Sequence, residues 1–479
     1  MRKIQHEQMQ VGEIDISAIV IELDSRDEIP QLLRGLQHIY SIKPLRKKVF
    51  KILSTLVPEK VSKNTGRNGM SLWNIFVLGT LRLNCNWDYD KLQEIANNHN
   101  TLRQMLGHGI LDIDKRYPRQ TLCDNIRWFT PEILDSINRL VVEEGHRVLG
   151  VSAEEALHAR CDSFVVETDV HYPTDINLLW DASRKVLQLS HRLAEEYCID
   201  GWRQTRHNLV ITKRLFRQLQ RSRDKDKKSS QCLSLTKQYI EMANDFFERA
   251  RTFIAQGKHA HGWLFETQAN EIEYYVTHGL KLTDQIRRRC LLGEKISHEE
   301  KIFSLFEPYT EWISKGKAGV PQELGLRVGI VECDSGFILH HRVMIKETDD
   351  QTAVPMITAT KKNFPHLKSC SFDKGYHSPK NQEDLAEILD AVILPRKGKL
   401  DAAELQHETD PQFVLLRRKH SAVESAINAL ENHSLDRCPD YGLDGFKRYV
   451  ALAVVARNIQ LLGRILQIDL LEERERQAA

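Results

Sequence analysis

Hydrophobic residues near the start of the chain recur at the spacing of an amphipathic helix. Four of them fall on one helical face: Ile29, Leu32, Leu33 and Leu36. A second apolar segment, residues 72–83 (LWNIFVLGTLRL), follows Ser71, whose hydroxyl suits the N-cap position. Shorter helical patterns continue to about residue 150. The pattern therefore predicts a helical N-terminal domain over residues 1–150.

The first strand is predicted where β-branched residues cluster. Residues 164–171 (FVVETDVH) alternate so that Glu167 and Asp169 lie on one face, because side chains along a strand point alternately to its two sides. We assign this strand to residues 160–175, with a carboxylate at the end of its buried part.

A long helical insertion is predicted after this strand, over residues 176–318. A charged and then Ser-rich stretch at 224–230 interrupts the helical pattern and predicts an exposed tip between two antiparallel helices. Several basic residues of the insertion could line DNA or could be ordinary solvated helix faces: Lys213, Arg214, Arg217, Arg221, and Arg287 to Arg289.

The pattern after the insertion predicts a hairpin followed by alternating helices and strands. The hairpin comprises residues 326–333 and 337–344, and the later elements are a helix at 353–363, a strand at 369–373, a helix at 381–389 and a strand at 391–395. This order is that of an α/β ribonuclease-H-like catalytic core interrupted after its first strand. We assign residues 319–435 to the remainder of that core and residues 436–479 to C-terminal helices.

Composition narrows the class of protein. A chain of 479 residues with 41% hydrophobic and 28% charged residues is long enough for two or three folded domains and is not of the disordered type. The net charge of +2 neither favours nor excludes nucleic acid. The nine cysteines form no Cys-x-x-Cys pair, which argues against a zinc finger. The polar start and the short apolar runs predict a cytoplasmic protein rather than a membrane protein.

Two carboxylates lie in patterns that suit a catalytic site. Asp373 follows a predicted strand and precedes a glycine-containing turn, a common place for catalytic side chains. Glu424 belongs to a polar helical stripe that lies beside the apolar stripe of Val423 and Ile427. That stripe could face a site or could simply be solvated surface. In a ribonuclease-H-like core, the first strand, the strand before Asp373 and the last helix can bring three carboxylates together.

Several segments resemble a known family. Residues 167–175 (ETDVHYPTD), 371–376 (SFDKGY) and 420–431 (HSAVESAINALE) closely resemble bacterial insertion-sequence DDE transposases, most nearly the ISNCY-type elements. Residues 69–75 and 303–313, and residues 316–319 (GKAG), are also similar to that family. The resemblance covers nearly the whole chain, and these segments in this order are more specific than any one of them.

The resemblance implies an acidic triad of Asp169, Asp373 and Glu424 that holds Mg²⁺ or Mn²⁺, with two ions expected. Asp175, which follows the strand, is a rival for the first position. Lys374 and Tyr376 would contact DNA or shape the turn. In related families an Arg precedes the glutamate and a Lys follows it, whereas here His420 and Glu431 occupy those positions, so those DNA contacts do not transfer. Residues that could contact DNA here are Arg417, Arg418, Lys419 and His420.

The implied partners are double-stranded DNA, both the terminal inverted repeats and the target, and a second copy of the chain in the synaptic complex. The implied activity is metal-dependent DNA cleavage and strand transfer. Two other functions stay open: a ribonuclease-H-like nuclease that cuts without joining, and an inactive or domesticated DNA-binding protein. No Gly-x-x-x-x-Gly-Lys-Ser/Thr loop and no His-Glu-x-x-His site occurs in the chain, which disfavours nucleotide triphosphatases and zinc proteases.

Overall fold

A computed structural model describes residues 14–57, 69–152, 155–227, 229–314 and 322–478 of the protein. The chain forms two compact units. One comprises Met1–Asp169 and Ile313–Ala479, and the other comprises Val170–Trp312. These boundaries differ by a few residues from the predicted 175 and 318; residues 316–319, similar to the transposase family, lie outside the described residues.

The first unit begins with helices, as predicted. They are α1 (Glu28–Ser41), α2 (Lys43–Leu53), α3 (Leu72–Asn84), α4 (Tyr89–Asn98), α5 (Asn100–Met105), α6 (Arg119–Ile126) and α7 (Pro131–Val148). Leu32, Leu33 and Leu36 are fully buried, which confirms the apolar face of α1. Ser71 caps α3, since its hydroxyl accepts a hydrogen bond from the Asn74 amide at 3.1 Å.

The second unit is helical. It contains α8 (Asp175–Glu196), α9 (Thr205–Lys225) and α10 (Ser230–Ile286), so the predicted break at 224–230 is confirmed. The α10 segment turns back on itself at Gly262, whose φ of +71° is a conformation that favours glycine. The Lys258 ammonium therefore lies 3.3 Å from the Glu273 carboxylate, although fifteen positions in a straight helix span about 22 Å.

A mixed seven-stranded sheet forms the centre of the first unit. Its strands are β1 (Leu157–Thr168), β2 (Glu311–Ser314), β3 (Gln322–Cys333), β4 (Ile338–Met344), β5 (Leu367–Phe372), β6 (Ala391–Ile393) and β7 (Arg437–Cys438). The order is β2-β3-β1-β5-β6, while β4 pairs with β3 and β7 with β1. Strand β1 is antiparallel to β3 and parallel to β5, and β5 is parallel to β6. The predicted β3–β4 hairpin is confirmed.

The remaining helices of the first unit follow the hairpin. They are α11 (Asp349–Asn363), α12 (Pro379–Ile388), α13 (Ala402–Glu408), α14 (Pro411–His420), α15 (Ala422–Leu430) and α16 (Leu443–Ala478). An 18-residue window of α16 is apolar enough to cross a membrane, with a mean hydropathy of 1.4, yet 72% of that window is buried within the fold. Its apolar surface therefore serves as protein core.

Helices from both ends of the chain are fixed to the sheet, although the sequence predicts separate N-terminal and C-terminal segments. The Asn138 amide of α7 donates to the Ile338 carbonyl of β4 at 3.0 Å. The Asn458 amide of α16 donates to the Asn138 side chain at 2.7 Å and to the same carbonyl at 2.9 Å. Because both asparagines are buried, losing one partner would leave unsatisfied polar groups. These helices and the sheet therefore form one compact unit.

Candidate acidic site at the end of strand β5

The register of the two central parallel strands brings two aspartates together. Cys161 of β1 pairs with Phe372, the last residue of β5. The residues that follow them along the chain are Asp162, still within β1, and Asp373, which begins the turn that leaves the sheet. Asp162 therefore lies in the middle of β1, beside the end of β5.

Helices α14 and α15 carry a third carboxylate to the same place. His420, the last residue of α14, shares a 3.0 Å hydrogen bond between its Nδ1 atom and the Ser371 hydroxyl. One turn later, Glu424 lies on the exposed side of α15, while Val423 and Ala426 are buried. The hydrogen bond at β5 therefore fixes the part of the chain that presents Glu424.

The three carboxylates are close enough to affect one another. Burial, together with the negative charges of Asp373, Asp349 and Glu424, raises the pKa of Asp162 to about 6. Asp349, at the start of α11, accepts a hydrogen bond from the Ser163 hydroxyl at 2.7 Å. Because neighbouring residues of a strand face opposite sides, Asp349 reaches Asp162 from the other face of the sheet. The shared face is formed by Asp162, Asp373 and Glu424, which we call the acidic face.

His420 lies close to these carboxylates, and its pKa is lowered. Burial lowers its pKa, and the nearby Arg160 lowers it too, whereas Asp373 and Glu424 act in the opposite direction. Its Nε2 atom is buried and has no hydrogen-bond partner among the described residues. A lowered pKa disfavours a positively charged imidazolium beside Asp373 and Glu424.

The acidic face suits a hard divalent cation by its chemistry. Carboxylate oxygens are the ligands that Mg²⁺ and Mn²⁺ prefer, and a cation would relieve the repulsion that raises the pKa of Asp162. Within the described ranges, no three or more His, Cys, Asp or Glu side chains already form a group that could hold a metal ion. A bound ion would therefore require these side chains to adjust.

Asp169 lies away from the acidic face. Strand β1 begins at Leu157, earlier than the sequence predicts, and its first half, Leu157 to Cys161, pairs with β5. Asp169 follows Asp162 by seven residues, or roughly 23 Å of extended chain. Its side chain is 65% exposed, and its carboxylate lies 3.9 Å from Arg437. The structure thus brings two of the three predicted triad residues together, with Asp162 in place of Asp169.

Asp175 also has a structural partner. It is the first residue of α8, in the helical unit, and its carboxylate forms a 3.0 Å ion pair with Arg289. Its side chain is 13% exposed. The ion pair joins the start of α8 to the short helical segment Arg287–Leu291 that follows α10.

The residues predicted to contact DNA divide into buried and exposed groups. Tyr376 is only 1% exposed, and its ring packs 5.6 Å from that of Phe372, so burial favours a role in shaping the turn over contact with DNA. Lys374 is exposed on the same turn. The exposed basic residues near the end of α14 are Arg417, Arg418 and Lys419.

Sequence reasoning missed Asp162 and its neighbour Arg160. The guanidinium of Arg160 is buried, lies 3.2 Å from Glu332 and 2.7 Å from Asp334, and holds β1 to the β3–β4 hairpin. The sequence does contain a signal for this part of β1: polar His158, Arg160 and Asp162 alternate with smaller residues, and an alternation of period two is typical of a strand. Buried polar residues made this part of the strand resemble a loop.

Chain comparisons give no independent assignment of this site. No protein-family model, no curated protein and no solved structure matches this chain.

Proposed function

We propose that the protein is a DDE transposase that cleaves DNA ends and joins them to target DNA in a metal-dependent reaction. One observation carries the proposal. The pairing of Cys161 with Phe372 places Asp162 beside Asp373, and Glu424 is close enough to raise the pKa of Asp162. We assign these three carboxylates as the acidic triad, so Asp162 replaces Asp169 as its first member.

The topology supports a ribonuclease-H-like core. Along the path β4-β3-β1-β5-β6, an antiparallel hairpin adjoins the first strand, and two parallel strands follow on its other side. The helical unit is inserted between β1 and the hairpin. Both features agree with the arrangement that the transposase resemblance implies. A fold alone does not determine function, so the proposed function depends on the acidic face.

The residues of the chain have distinct roles in this proposal. Asp162, Asp373 and Glu424 would hold one or two Mg²⁺ or Mn²⁺ ions, which supply activation of a water or a 3′-hydroxyl and stabilisation of the leaving oxygen. Arg160 positions β1 through its two ion pairs. Lys374, exposed on the turn after Asp373, is placed to contact a phosphate.

The proposal is tested by DNA cleavage with the full chain. The substrate is a duplex made from the DNA that flanks the gene, incubated with Mg²⁺ or Mn²⁺. We expect Asp162→Asn, Asp373→Asn and Glu424→Gln each to reduce cleavage at least about 100-fold, because each removes charge that would hold the ions. Asp169→Asn is the matched control, and we expect it to keep cleavage within about threefold. Wild-type cleavage by Asp162→Asn would remove that residue from the triad.

Strand transfer distinguishes a transposase from a nuclease. A labelled duplex that already carries a 3′-hydroxyl end is incubated with a supercoiled target plasmid. Joined products that require Asp162 and Glu424 would support the transposase. Cleavage without joining would identify a nuclease, and DNA binding without either reaction would identify an inactive DNA-binding protein.

A further inference from the structure

Helix α9 presents a row of basic side chains on its exposed face. At 3.6 residues per turn, five of them fall within an arc of about 100°. We call them the α9 stripe: Arg206, Lys213, Arg214, Arg217 and Arg221, all exposed. The opposite face of the helix packs into the core of the helical unit through Leu215 and Leu219. Because the apolar face is buried, α9 cannot rotate about its axis, and the basic side chains therefore point to solvent.

The α9 stripe carries uncompensated charge. Among the described residues, none of its five side chains forms an ion pair, and the sequence of α9 contains a single acidic residue, Asp224. Other arginines of the same unit have their charge compensated by ion pairs. Arg203, Arg251 and Arg287 pair with acidic residues three positions away at 2.6–3.3 Å.

A groove extends this positive surface onto α8. It has a volume of about 490 Å³ and is lined by residues of α8 and α9, including Lys185, Arg192 and Arg206. His191 and Glu195 lie on its wall as a 3.4 Å pair. Arg206 belongs to both features, so the groove continues the α9 stripe at its N-terminal end.

We propose that the α9 stripe binds the sugar-phosphate backbone of duplex DNA. From Arg206 to Arg221 the helix spans roughly 22 Å, which is the axial length of six to seven base pairs. Arginine and lysine are the side chains that neutralise phosphates. The assignment of duplex DNA as the ligand rests on the proposed transposase function.

The composition of the stripe disfavours other anionic ligands. Val210 is its sole large exposed apolar residue among those described. A helix that lies in a membrane surface needs an exposed apolar face, and the apolar face of α9 is buried. Single-stranded nucleic acid is usually held by aromatic stacking, and α9 exposes no Tyr, Trp or Phe among its described residues. These features favour backbone contact with a duplex over either of these ligands.

The test measures how salt changes duplex affinity. The stripe variant is Lys213→Gln/Arg217→Gln/Arg221→Gln in the full chain, with a 30-base-pair duplex of arbitrary sequence as the probe. The matched control, Arg203→Gln/Arg251→Gln/Lys258→Gln, removes the same charge from ion-paired side chains of the same unit. Each phosphate contact contributes about 0.9 to the slope of log K against log salt. We expect the stripe variant to lower that slope by about 2 to 3 and the control to leave it unchanged.

Two further measurements keep the result interpretable. Thermal unfolding of both variants checks that the helical unit is folded, and Arg214→Lys/Arg217→Lys/Arg221→Lys should keep the wild-type slope, because it keeps the charge. An unchanged slope in a folded stripe variant would overturn the inference. A selective loss of binding to anionic vesicles or to polyglutamate, with duplex binding intact, would overturn it too.

Failure here is separable from failure of the proposed function. If the wild-type chain cleaves DNA but the stripe variant binds with an unchanged slope, the transposase proposal stands and the stripe inference falls. If no form cleaves or joins DNA but the slope falls as expected, the stripe inference stands and the catalytic proposal falls. Asp162→Asn should keep the wild-type slope in either case.

Discussion

Asp162 lies beside Asp373 because the residues before them, Cys161 and Phe372, pair in the parallel register of β1 and β5. This relationship moves the centre of the candidate site from the end of the first strand to its middle. It also explains why the pKa of Asp162 is raised: the position is partly buried, and the end of β5 adds a second carboxylate. A buried acid with acidic neighbours is costly in isolation, which is typical of functional sites.

Removing the Asp162 charge should stabilise the protein above neutral pH. Its pKa is about 6 in the fold against an ordinary 3.8, so the folded state binds more protons than the unfolded state between these values. Stability therefore falls as the pH rises through this range, and the full penalty is present above about pH 6. The difference corresponds to at most about 3 kcal/mol.

We expect Asp162→Asn to raise the free energy of unfolding by about 1–3 kcal/mol near pH 7.5, measured by urea denaturation without divalent cations. Near pH 4 the carboxyl is protonated in the fold, so the variant and the wild type should differ little. Asp169→Asn, at an exposed position, should have no such pH-dependent effect. An equal stability of Asp162→Asn and wild type at both pH values would contradict the assigned surroundings of Asp162.

Divalent cations should stabilise the folded chain through the acidic face. A ligand that binds the native state alone at about 100 times its Kd adds about 2.7 kcal/mol. We expect Mn²⁺ or Mg²⁺ to raise the Tm of the wild type and of Asp169→Asn, and to have little effect on Asp162→Asn or Glu424→Gln. The readout needs no DNA. A full Mn²⁺ shift in Glu424→Gln would place the cation elsewhere.

The sequence predicts the order of the sheet elements well because their patterns are simple. The hairpin, the strand before Asp373 and the break near residue 226 all have clean apolar periods or clear turn residues, and the structure contains each of them. The strand that carries Asp162 is different. Arg160 is buried because two ion pairs compensate its charge. Asp162 is partly buried beside other carboxylates, which raise its pKa. Hydrophobic pattern alone does not detect such polar positions.

The grouping of elements into compact units was not predictable from local pattern. Helix α16 is apolar around much of its surface and is a core helix, but its partners α1, α3 and α7 are more than 290 residues away in sequence. Only the fold shows that Asn138 and Asn458 share the Ile338 carbonyl. Long-range contacts of this kind leave no trace in a window of ten or twenty residues.

Tyr376 should matter for stability and not for DNA binding. Its ring is buried against Phe372, and its hydroxyl, which faces the Cys161 thiol, has no close hydrogen-bond partner among the described residues. We expect Tyr376→Ala to cost about 3–5 kcal/mol of unfolding free energy, as for other buried aromatic residues. Tyr376→Phe keeps the ring and should change stability by less than about 1 kcal/mol. Duplex affinity of Tyr376→Phe should equal that of the wild type, and a tenfold loss would restore a DNA-contacting role.

The close packing of α1 on α16 offers a test of whether the N-terminal helices and the sheet form one unit. A Cβ atom at Gly463 would lie 1.8 Å from the Gln31 carbonyl oxygen, which is backbone and cannot move aside alone. We expect Gly463→Ala to destabilise the protein by about 1–3 kcal/mol or more, because the helices would have to separate. Gly445→Ala is the matched control in the same helix, since its Cβ would meet neighbours at 3.4–3.5 Å, an ordinary contact.

In a urea titration followed by circular dichroism and by Trp fluorescence, Gly463→Ala should shift the transitions of both probes together if the helices and the sheet unfold as one unit. The unit Val170–Trp312 contributes to both signals on its own account, so an unshifted transition of that unit is neutral. A transition of the N-terminal helices below the wild-type midpoint, with the sheet that carries Asp162 still at that midpoint, would show that the two unfold separately. Gly445→Ala should leave both midpoints near or above the wild-type value, because alanine is the better helix former.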